Sequence, residues 1–302
     1  MKNILLKLVV LFVTGVFVVI SCSRNDLSPS EIYDQFAEAE KEAVFEAVLA
    51  KADDQINKEI AMLEKYNYNL PAAKSSEAEP CDATIKVETP ANLKFPKTIS
   101  LDFGEGCTDS EGNFRAGKMI VYITGPYWQM NTVRHSRLVD YIYNDLKIVG
   151  DRFEINKGLS DKGLYVFEVL NKEKIWTTAG EFLVEREWTR VRTYNRGNDL
   201  STTTDDEVWV TGSARVERAG KKLEKEITVP LYRPLTCQHF QCGTVTTFIN
   251  KEKISELNYG DCPVKVEGDS PNECDNTATW TNGVKTKIIT LKTGINYYKI
   301  KL

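Results

Sequence analysis

The stretch FLVEREWTRVRTY, residues 182–194, alternates between two kinds of side chain. Successive side chains of a β-strand point to opposite faces of a sheet. One face of this strand therefore carries Arg186, Trp188, Arg190, Arg192 and Tyr194. Arginine forks beside an indole can bind carboxylated or sulfated sugars through bidentate hydrogen bonds and ring stacking, which makes this face a candidate ligand site. The alternative is that these arginines pair with acids on neighbouring strands.

The same period of two continues on both sides of this strand, over residues 81–302. The candidate strands are Thr84–Glu88, Thr98–Phe103, Lys118–Thr124, Val139–Tyr143, Lys147–Ile155, Leu164–Val169, Phe182–Tyr194, Glu207–Arg218, Lys222–Val229, Thr244–Ile249 and Thr286–Leu291. Turn signals, such as Asn144-Asp145 and Asn156-Lys157-Gly158, separate them. Strands without intervening helices predict a mainly β fold, an antiparallel meander that forms a half-open barrel or a sandwich-like pair of sheets.

One long helix is predicted before this β body, over residues 31–66. Ser28 suits its N-cap and Pro29 its first turn. A thin apolar stripe recurs at three- and four-residue spacing. Because the stretch holds ten acids and four bases, most of its surface is expected to face water. It is either a stalk or a helix laid on the sheet, and the stripe favours partial packing; residues 67–80 then form a linker.

The N-terminus has the pattern of a lipoprotein signal peptide. Lys2 and Lys7 precede a short apolar run, Leu8–Ile20, and Ser21-Cys22 follows it. This pattern predicts a signal peptide over residues 1–21, lipidation of Cys22 and a tether over 22–30. The protein is then anchored by lipid to the outer membrane, on its periplasmic or its surface side. The alternatives are a plain signal peptide or a membrane-anchor helix, with the cysteine incidental.

The composition restricts the function. With 42% hydrophobic and 27% charged residues the chain is globular, and a formal net charge of -4 argues against nucleic-acid binding. Two histidines, and the lack of a Gly-x-Ser-x-Gly elbow, a phosphate-binding loop or a dinucleotide fingerprint, predict no enzyme and no cofactor. The paired carboxylates of a glycosidase stay open, because the chain has 43 acids.

Cysteines and acids provide two further candidate sites. Six cysteines remain after Cys22, an even number that indicates disulfides in an oxidising compartment but leaves 15 connectivities. A zinc site at Cys237, His239 and Cys242 is the rival interpretation. Acids on a glycine-rich loop form a weak calcium candidate, namely Asp102, Glu105 and Asp109.

Two stretches of the chain echo each other. Ser100–Cys107 reads SLDFGEGC, and Glu256–Cys262 reads ELNYGDC. Two copies are too few for a repeat array. They are interpreted as two equivalent corners at which a strand ends in a loop.

Several motifs resemble a recurring pattern in uncharacterised β-rich lipoproteins of Bacteroidetes-type bacteria. They are DFGEGCTD and RAGKMIV within Ile99–Val121, VPL at Val229–Leu231, GTV at Gly243–Val245, the NYGD corner, and CDN with NG from Cys274 to Gly283. The resemblance covers most of residues 81–292. It implies an anchored β-rich protein without an assigned activity.

The chain departs from this pattern at two cysteines. Residues 262–273 are inserted before Cys274, and Cys242 stands where a serine is usual in the pattern. The resemblance therefore implies that the two unusual cysteines, Cys242 and Cys262, pair with each other. It leaves Cys237 to pair with Cys274 and Cys81 with Cys107.

Taken together, these features predict a non-enzymatic lipoprotein of the cell envelope that acts as a binding or structural module. Its partners are the membrane, through the lipid anchor, and a glycan or an envelope protein. One alternative is a carrier of lipid or acyl chains beneath a helix-covered sheet, and a second is a glycan-active enzyme.

Overall fold

The structure is a computed structural model that describes residues 29–68, 81–198, 205–218, 220–262 and 274–291, with helix side chains from residue 35. The signal peptide, Cys22, most of the tether, Ser28 and most of the predicted linker lie outside the described residues. The chain divides into two units after Asp34. Of the first unit, only the start of the helix is described; the second unit begins at Gln35 and contains all the strands.

Helix α1 spans Pro29–Lys65, and fourteen strands follow it in the described residues. The strands are β1 (Thr84–Glu88), β2 (Lys97–Asp102), β3 (Cys107–Thr108), β4 (Phe114–Ile123), β5 (Val133–Tyr143), β6 (Leu146–Leu159), β7 (Tyr165–Thr177), β8 (Phe182–Asn195), β9 (Glu207–Arg218), β10 (Lys221–Pro234), β11 (Cys242–Ile249), β12 (Glu252–Asn258), β13 (Thr277–Thr281) and β14 (Thr286–Thr290).

The strands form one antiparallel sheet in chain order, from β1 to β14. Only the two-residue strand β3 lies off this path, where it pairs with β4. The sheet does not close, so β1 and β14 are its edges. The predicted mainly β meander with one N-terminal helix is therefore confirmed. Of the two expected arrangements, a half-open barrel and a sandwich-like pair of sheets, the single open sheet corresponds to the first.

The central strands are longer than predicted, because one turn signal is a bulge. Asn156-Lys157-Gly158 lies inside β6, where the register with β7 shifts between Asn156 and Gly158. The Asn156 side chain accepts a hydrogen bond from the Gly158 N–H at 2.7 Å, which holds the bulge. The chain reverses later, where Ser160 N–H donates to the Leu164 carbonyl. The prediction of a turn at residues 156–158 is wrong.

Helix α1 lies against the inner face of the sheet from Gln35 onward. Phe36 packs on Trp280 of β13, Gln55 accepts a hydrogen bond from Arg115 of β4, and strands near both edges thus contact one helix. The sheet coils around α1, so α1 is not a stalk. The buried apolar residues of α1 are Ala43, Val44, Phe45, Ala47, Val48, Ala52, Ile56, Ile60 and Leu63.

The expectation that most of α1 faces water is wrong. Glu42, Asp53 and Glu59 are buried together with the apolar stripe. Charged side chains can be buried in this way only when partners neutralise them. Among the described residues, no helix combines the length and the apolar character needed to span a bilayer.

The two echoed stretches form equivalent corners, as expected. At each, an Asp102 or Asn258 oxygen accepts a hydrogen bond from the N–H two residues later. Phe103 N–H then donates to the Gly117 carbonyl, and Gly117 N–H to the Gly104 carbonyl. The second corner repeats this reciprocal pair with Tyr259, Gly243 and Gly260.

Three disulfide bonds staple the sheet. They join Cys81 to Cys107, Cys237 to Cys274 and Cys242 to Cys262. All three pairs implied by the resemblance are therefore present. Each closes a loop of the unfolded chain and contributes about 2–4 kcal/mol to stability.

We expect Gly243→Ala to destabilise the protein far more than Gly180→Ala. Both glycines have positive φ, 104° and 92°. A Cβ on Gly243 would lie 2.4 Å from the Pro230 carbonyl oxygen, whereas a Cβ on Gly180 meets nothing within 4 Å. Strain alone should cost Gly180→Ala about 1 kcal/mol, and the clash should raise the cost at Gly243 to at least about 3 kcal/mol. Urea denaturation measures both; equal losses would refute the close approach.

Candidate functional site

The five side chains predicted to share one face of β8 do share it. They point to the inner face of the sheet and are buried; the exposed fractions of Arg186 and Trp188 are each 1%. The three arginines contact acids of α1 rather than solvent. The alternation was predicted correctly, but the sequence did not show which face is covered.

Two arginines of this face hold acids of α1. Arg186 donates to Glu42 at 2.8 Å and also to Glu46. Arg190 donates to both carboxylate oxygens of Glu46, at 2.9 and 2.8 Å. The Arg190 guanidinium lies 4.0 Å from the ring centre of Trp188, which separates the two arginines along the strand. The forks that could bind an acidic sugar are thus occupied by helix carboxylates.

The same cluster extends to β9 and β10. Arg218 donates to Glu42 at 3.3 Å and also to Glu38, and Lys225 lies 3.1 Å from Glu42. Glu42 therefore contacts cations from three neighbouring strands. Burial alone would raise the pKa of Glu42, but the charges of Lys225 and the two arginines outweigh it and hold that pKa well below its usual range.

A second cluster surrounds Asp53, two turns further along α1. Asp53 contacts Arg192 at 2.5 Å, Arg152 at 2.6 Å and Arg134 at 3.0 Å. Glu154 of β6 binds Arg134 from the other side. Burial alone would raise the pKa of Asp53, but the charges of the three arginines outweigh burial and hold this pKa well below its usual range.

Most partners of these arginines come from the helix, not from neighbouring strands as the alternative interpretation supposed. The strands supply Glu154 and Glu173, and α1 supplies the other acids. Burial raises the pKa of Glu173, against the opposing charge of Arg186. Beside the first cluster, a cavity lined by Ala47, His239 and other residues measures about 10 Å³. That is about the space of one water molecule.

The predicted metal ligands are engaged elsewhere. Asp102 pairs with Lys118 at 2.8 Å, Asp109 pairs with Arg115 at 2.8 Å, and Glu105 is exposed. Among the described residues, no three His, Cys, Asp or Glu side chains form a group that could hold a metal ion. The calcium candidate therefore has no support in the structure.

The rival zinc site is excluded by the disulfides. Cys237 and Cys242 are bonded to different cysteines, and His239 lies between them. Burial, followed by the charges of Lys51 and Arg233, lowers the pKa of His239 to about 4. This ring is therefore neutral at physiological pH and has no thiolate partner.

Asp206, which directly precedes β9, is a buried acid. Its exposed fraction is 1%, and within the described residues its Oδ1 has no hydrogen-bond partner. Burial raises its pKa to about 6, although the charge of Arg196 acts in the opposite direction. The carboxyl stands at the start of β9, away from both ion clusters of α1.

The outer face of the sheet has a groove where β8, β9 and β10 bend. We call it the outer groove; it encloses about 340 Å³. Its lining residues are Glu187, Thr189, Ser213, Ala214, Arg215, Glu224, Lys225, Glu226 and Phe248. Lys225 is buried and its ammonium pairs with Glu42 of α1, whereas the other six polar residues are exposed. Alternation along β8 places Thr189 on the sheet face opposite to the arginines. Alternation alone does not indicate that this face is concave.

Irregular strands create this groove. The register of β10 shifts against β9 between Glu226 and Leu231, and against β11 between Ile227 and Val229. Gly212 of β9 approaches β8 so closely that a Cβ would lie 2.1 Å from a carbonyl oxygen. Bulges bend strands and increase their twist, which makes the outer face locally concave.

No family model, curated protein or solved structure matches this chain. The geometry of its two faces is therefore the basis for assigning a function. The inner face is filled by its own helix, and the outer face carries accessible polar groups in a groove.

We expect Asp53→Asn to destabilise the protein by about 3–5 kcal/mol, because it removes a buried charge shared by Arg134, Arg152 and Arg192 without changing the side-chain volume. Its control is Glu185→Gln, which breaks the exposed pair with Lys174. That pair should contribute no more than about 1 kcal/mol. Free energies of unfolding from urea titrations compare the two, and similar losses would show that the buried network contributes no more than a surface pair.

Asp206→Asn is expected to stabilise the protein at pH 7–8 by roughly 1–3 kcal/mol, because it removes a buried charge whose Oδ1 has no hydrogen-bond partner among the described residues. The folded pKa of about 6 lies above the unfolded value, so the native state binds more protons between about pH 4 and 6. The free energy of unfolding of the wild type should therefore rise relative to that of the variant as pH falls from 7 to 4. If the difference between the two free energies does not decrease over this range, the assignment is contradicted.

Proposed function

We propose that the protein is a non-enzymatic lipoprotein of the outer membrane whose β body is a binding or structural module. The observation that carries the proposal is the filled inner face, where buried arginines are paired with the carboxylates of α1. A β body whose described inner face is occupied by α1 is suited to presenting its outer surface. The signal pattern ending at Cys22 and the resemblance to envelope lipoproteins support the anchor.

The filled inner face speaks against the carrier alternative. A carrier needs a deep apolar cavity, and ligand pockets typically measure about 300–1,000 Å³. The cavity described beside α1 measures about 10 Å³. The side chains between α1 and β8 are also largely ionic, and an acyl chain could not replace the partners of Arg186 without leaving a buried charge unpaired.

The environments of the acids favour a non-enzymatic role. A glycosidase acid has a raised pKa and faces a cleft that admits the substrate. The acids with raised pKa, Glu173 and Asp206, are buried and do not line the outer groove. The acids of the outer groove are solvent-exposed and do not have the buried setting of a glycosidase acid.

We expect the full chain, made in a bacterium with an outer membrane, to incorporate an alkyne analogue of palmitate and to sediment with membranes. Cys22→Ser should remove the label and release the protein, because the modified thiol is absent. Cys22→Ser leaves every described contact unchanged, so the folded body should keep its thermal midpoint. Labelling that persists in the variant, or a wild-type chain without label, would contradict lipidation at Cys22.

A further inference from the structure

We infer that the outer groove binds an uncharged or amine-bearing saccharide. This inference rests on the binding role proposed above and names the class of ligand. It differs from the sequence-based expectation of an acidic glycan on the arginine face, whose forks are occupied by α1. The argument has three parts: unused polar groups, the net charge of the groove, and an apolar strip that continues from it.

Most polar groups of the outer groove take part in no ion pair or hydrogen bond. The exception is Glu187, whose carboxylate lies 4.0 Å from the Lys172 ammonium. Among the described residues, Arg215, Glu224 and Glu226 take part in no ion pair, and the hydroxyls of Thr189 and Ser213 make no hydrogen bond. Donors and acceptors are therefore available side by side.

The register brings these groups into two adjacent rows. Glu187, Arg215 and Glu224 are neighbours across β8, β9 and β10, and Thr189, Ser213 and Glu226 form the next row. Neighbouring strands lie about 4.8 Å apart, so the groups of one row can contact different hydroxyls of a sugar ring. Carboxylates accept hydrogen bonds from hydroxyls, and the guanidinium and the Ser and Thr hydroxyls can donate to sugar oxygens.

The charge of the outer groove selects among saccharides. Three carboxylates, those of Glu187, Glu224 and Glu226, face one guanidinium, that of Arg215. The surplus of negative charge repels carboxylated and sulfated sugars and favours uncharged or amine-bearing ones. Phe248 adds an apolar surface on which the C–H face of a sugar ring can pack.

An apolar strip leads away from the groove across the outer face. Leu170 is the cross-strand neighbour of Thr189, Phe153 of Leu170 and His135 of Phe153. Leu170 and Phe153 are 42% and 44% exposed, and the His135 ring stacks on Phe153 at 4.0 Å. From β8 to β5 the strip extends about 14 Å at the usual strand spacing. A chain of several sugars fits this track better than a single sugar.

Calorimetry on the full chain in a detergent without a sugar headgroup tests the inference. The probes are trimers of N-acetylglucosamine, of glucosamine and of galacturonic acid, which are uncharged, amine-bearing and acidic. We expect one of the first two to bind and the acidic trimer not to bind. The hexamer of the bound sugar should bind more tightly than its trimer, and Phe153→Ser should remove that gain.

Three variants locate the site. Ser213→Trp fills the groove from an exposed strand position that tolerates a large side chain, and it should abolish binding. Glu226→Gln should weaken binding about tenfold, the loss of one charge-assisted hydrogen bond. Glu168→Gln, an exposed acid of β7 paired with Lys157, is the matched control and should bind like the wild type. Thermal midpoints confirm that each variant is folded.

Any of three results would overturn the inference: no binding of either the uncharged or the amine-bearing trimer, binding of the acidic trimer, or binding that Ser213→Trp leaves intact. None of these results bears on lipidation of Cys22, which palmitate labelling measures separately. A labelled, membrane-bound chain without saccharide binding would refute the groove and leave the lipoprotein assignment standing. An unlabelled chain that binds through the groove would do the reverse.

Discussion

The buried arginines of the inner face impose the constraint on which the rest of the structure depends. A guanidinium cannot be deprotonated in a protein, so a buried one must have an anionic or strongly polar partner. Arg134 and Arg186 are each 1% exposed, on strands that α1 covers. Without the helix carboxylates, the strands would supply Glu154 and Glu173 as partners and leave a surplus of buried cations on the inner face. The sheet therefore requires α1, and the acids of α1 require the sheet.

This mutual requirement explains the arrangement of the helix. Glu38, Glu42 and Glu46 recur every four residues, which places them on one helix face, and they meet cations of β8, β9 and β10. Asp53 lies two turns further on and meets β5, β6 and β8. The formal net charge of -4 does not reveal that the charges are separated inside the protein: the acids lie on the helix and the cations on the inner face of the sheet. Asp53 fixes the position of the helix along its axis, since a slip by one turn would move this carboxylate away from its three arginines.

The sequence allowed the fold class to be predicted more fully than the candidate site. Alternation in β8 and β9 indicated their lengths, and the resemblance implied all three disulfides. Strands β12 and β13 were missed because ISE and TAT alternate weakly and the segments are short. The covered face of β8 could not be predicted, because both faces of this strand are polar: arginines on one, Glu187 and Thr189 on the other. The burial of an acidic helix depends on arginines from strands that lie far away in the chain, and a local period cannot detect that.

The groove on the outer face follows from the same coiling that encloses the helix. To wrap around α1, the strands must twist and bend sharply, and Gly212 and the bulge of β10 permit this bend near the Arg186 cluster. A bend that brings the inner face around a helix also changes the shape of the opposite surface, since each strand has both faces. The side chains of the outer groove point away from the ion network and contribute little to it. Their identities can therefore vary with the ligand while the inner face keeps its ion pairs, which separates the requirements of binding from those of folding.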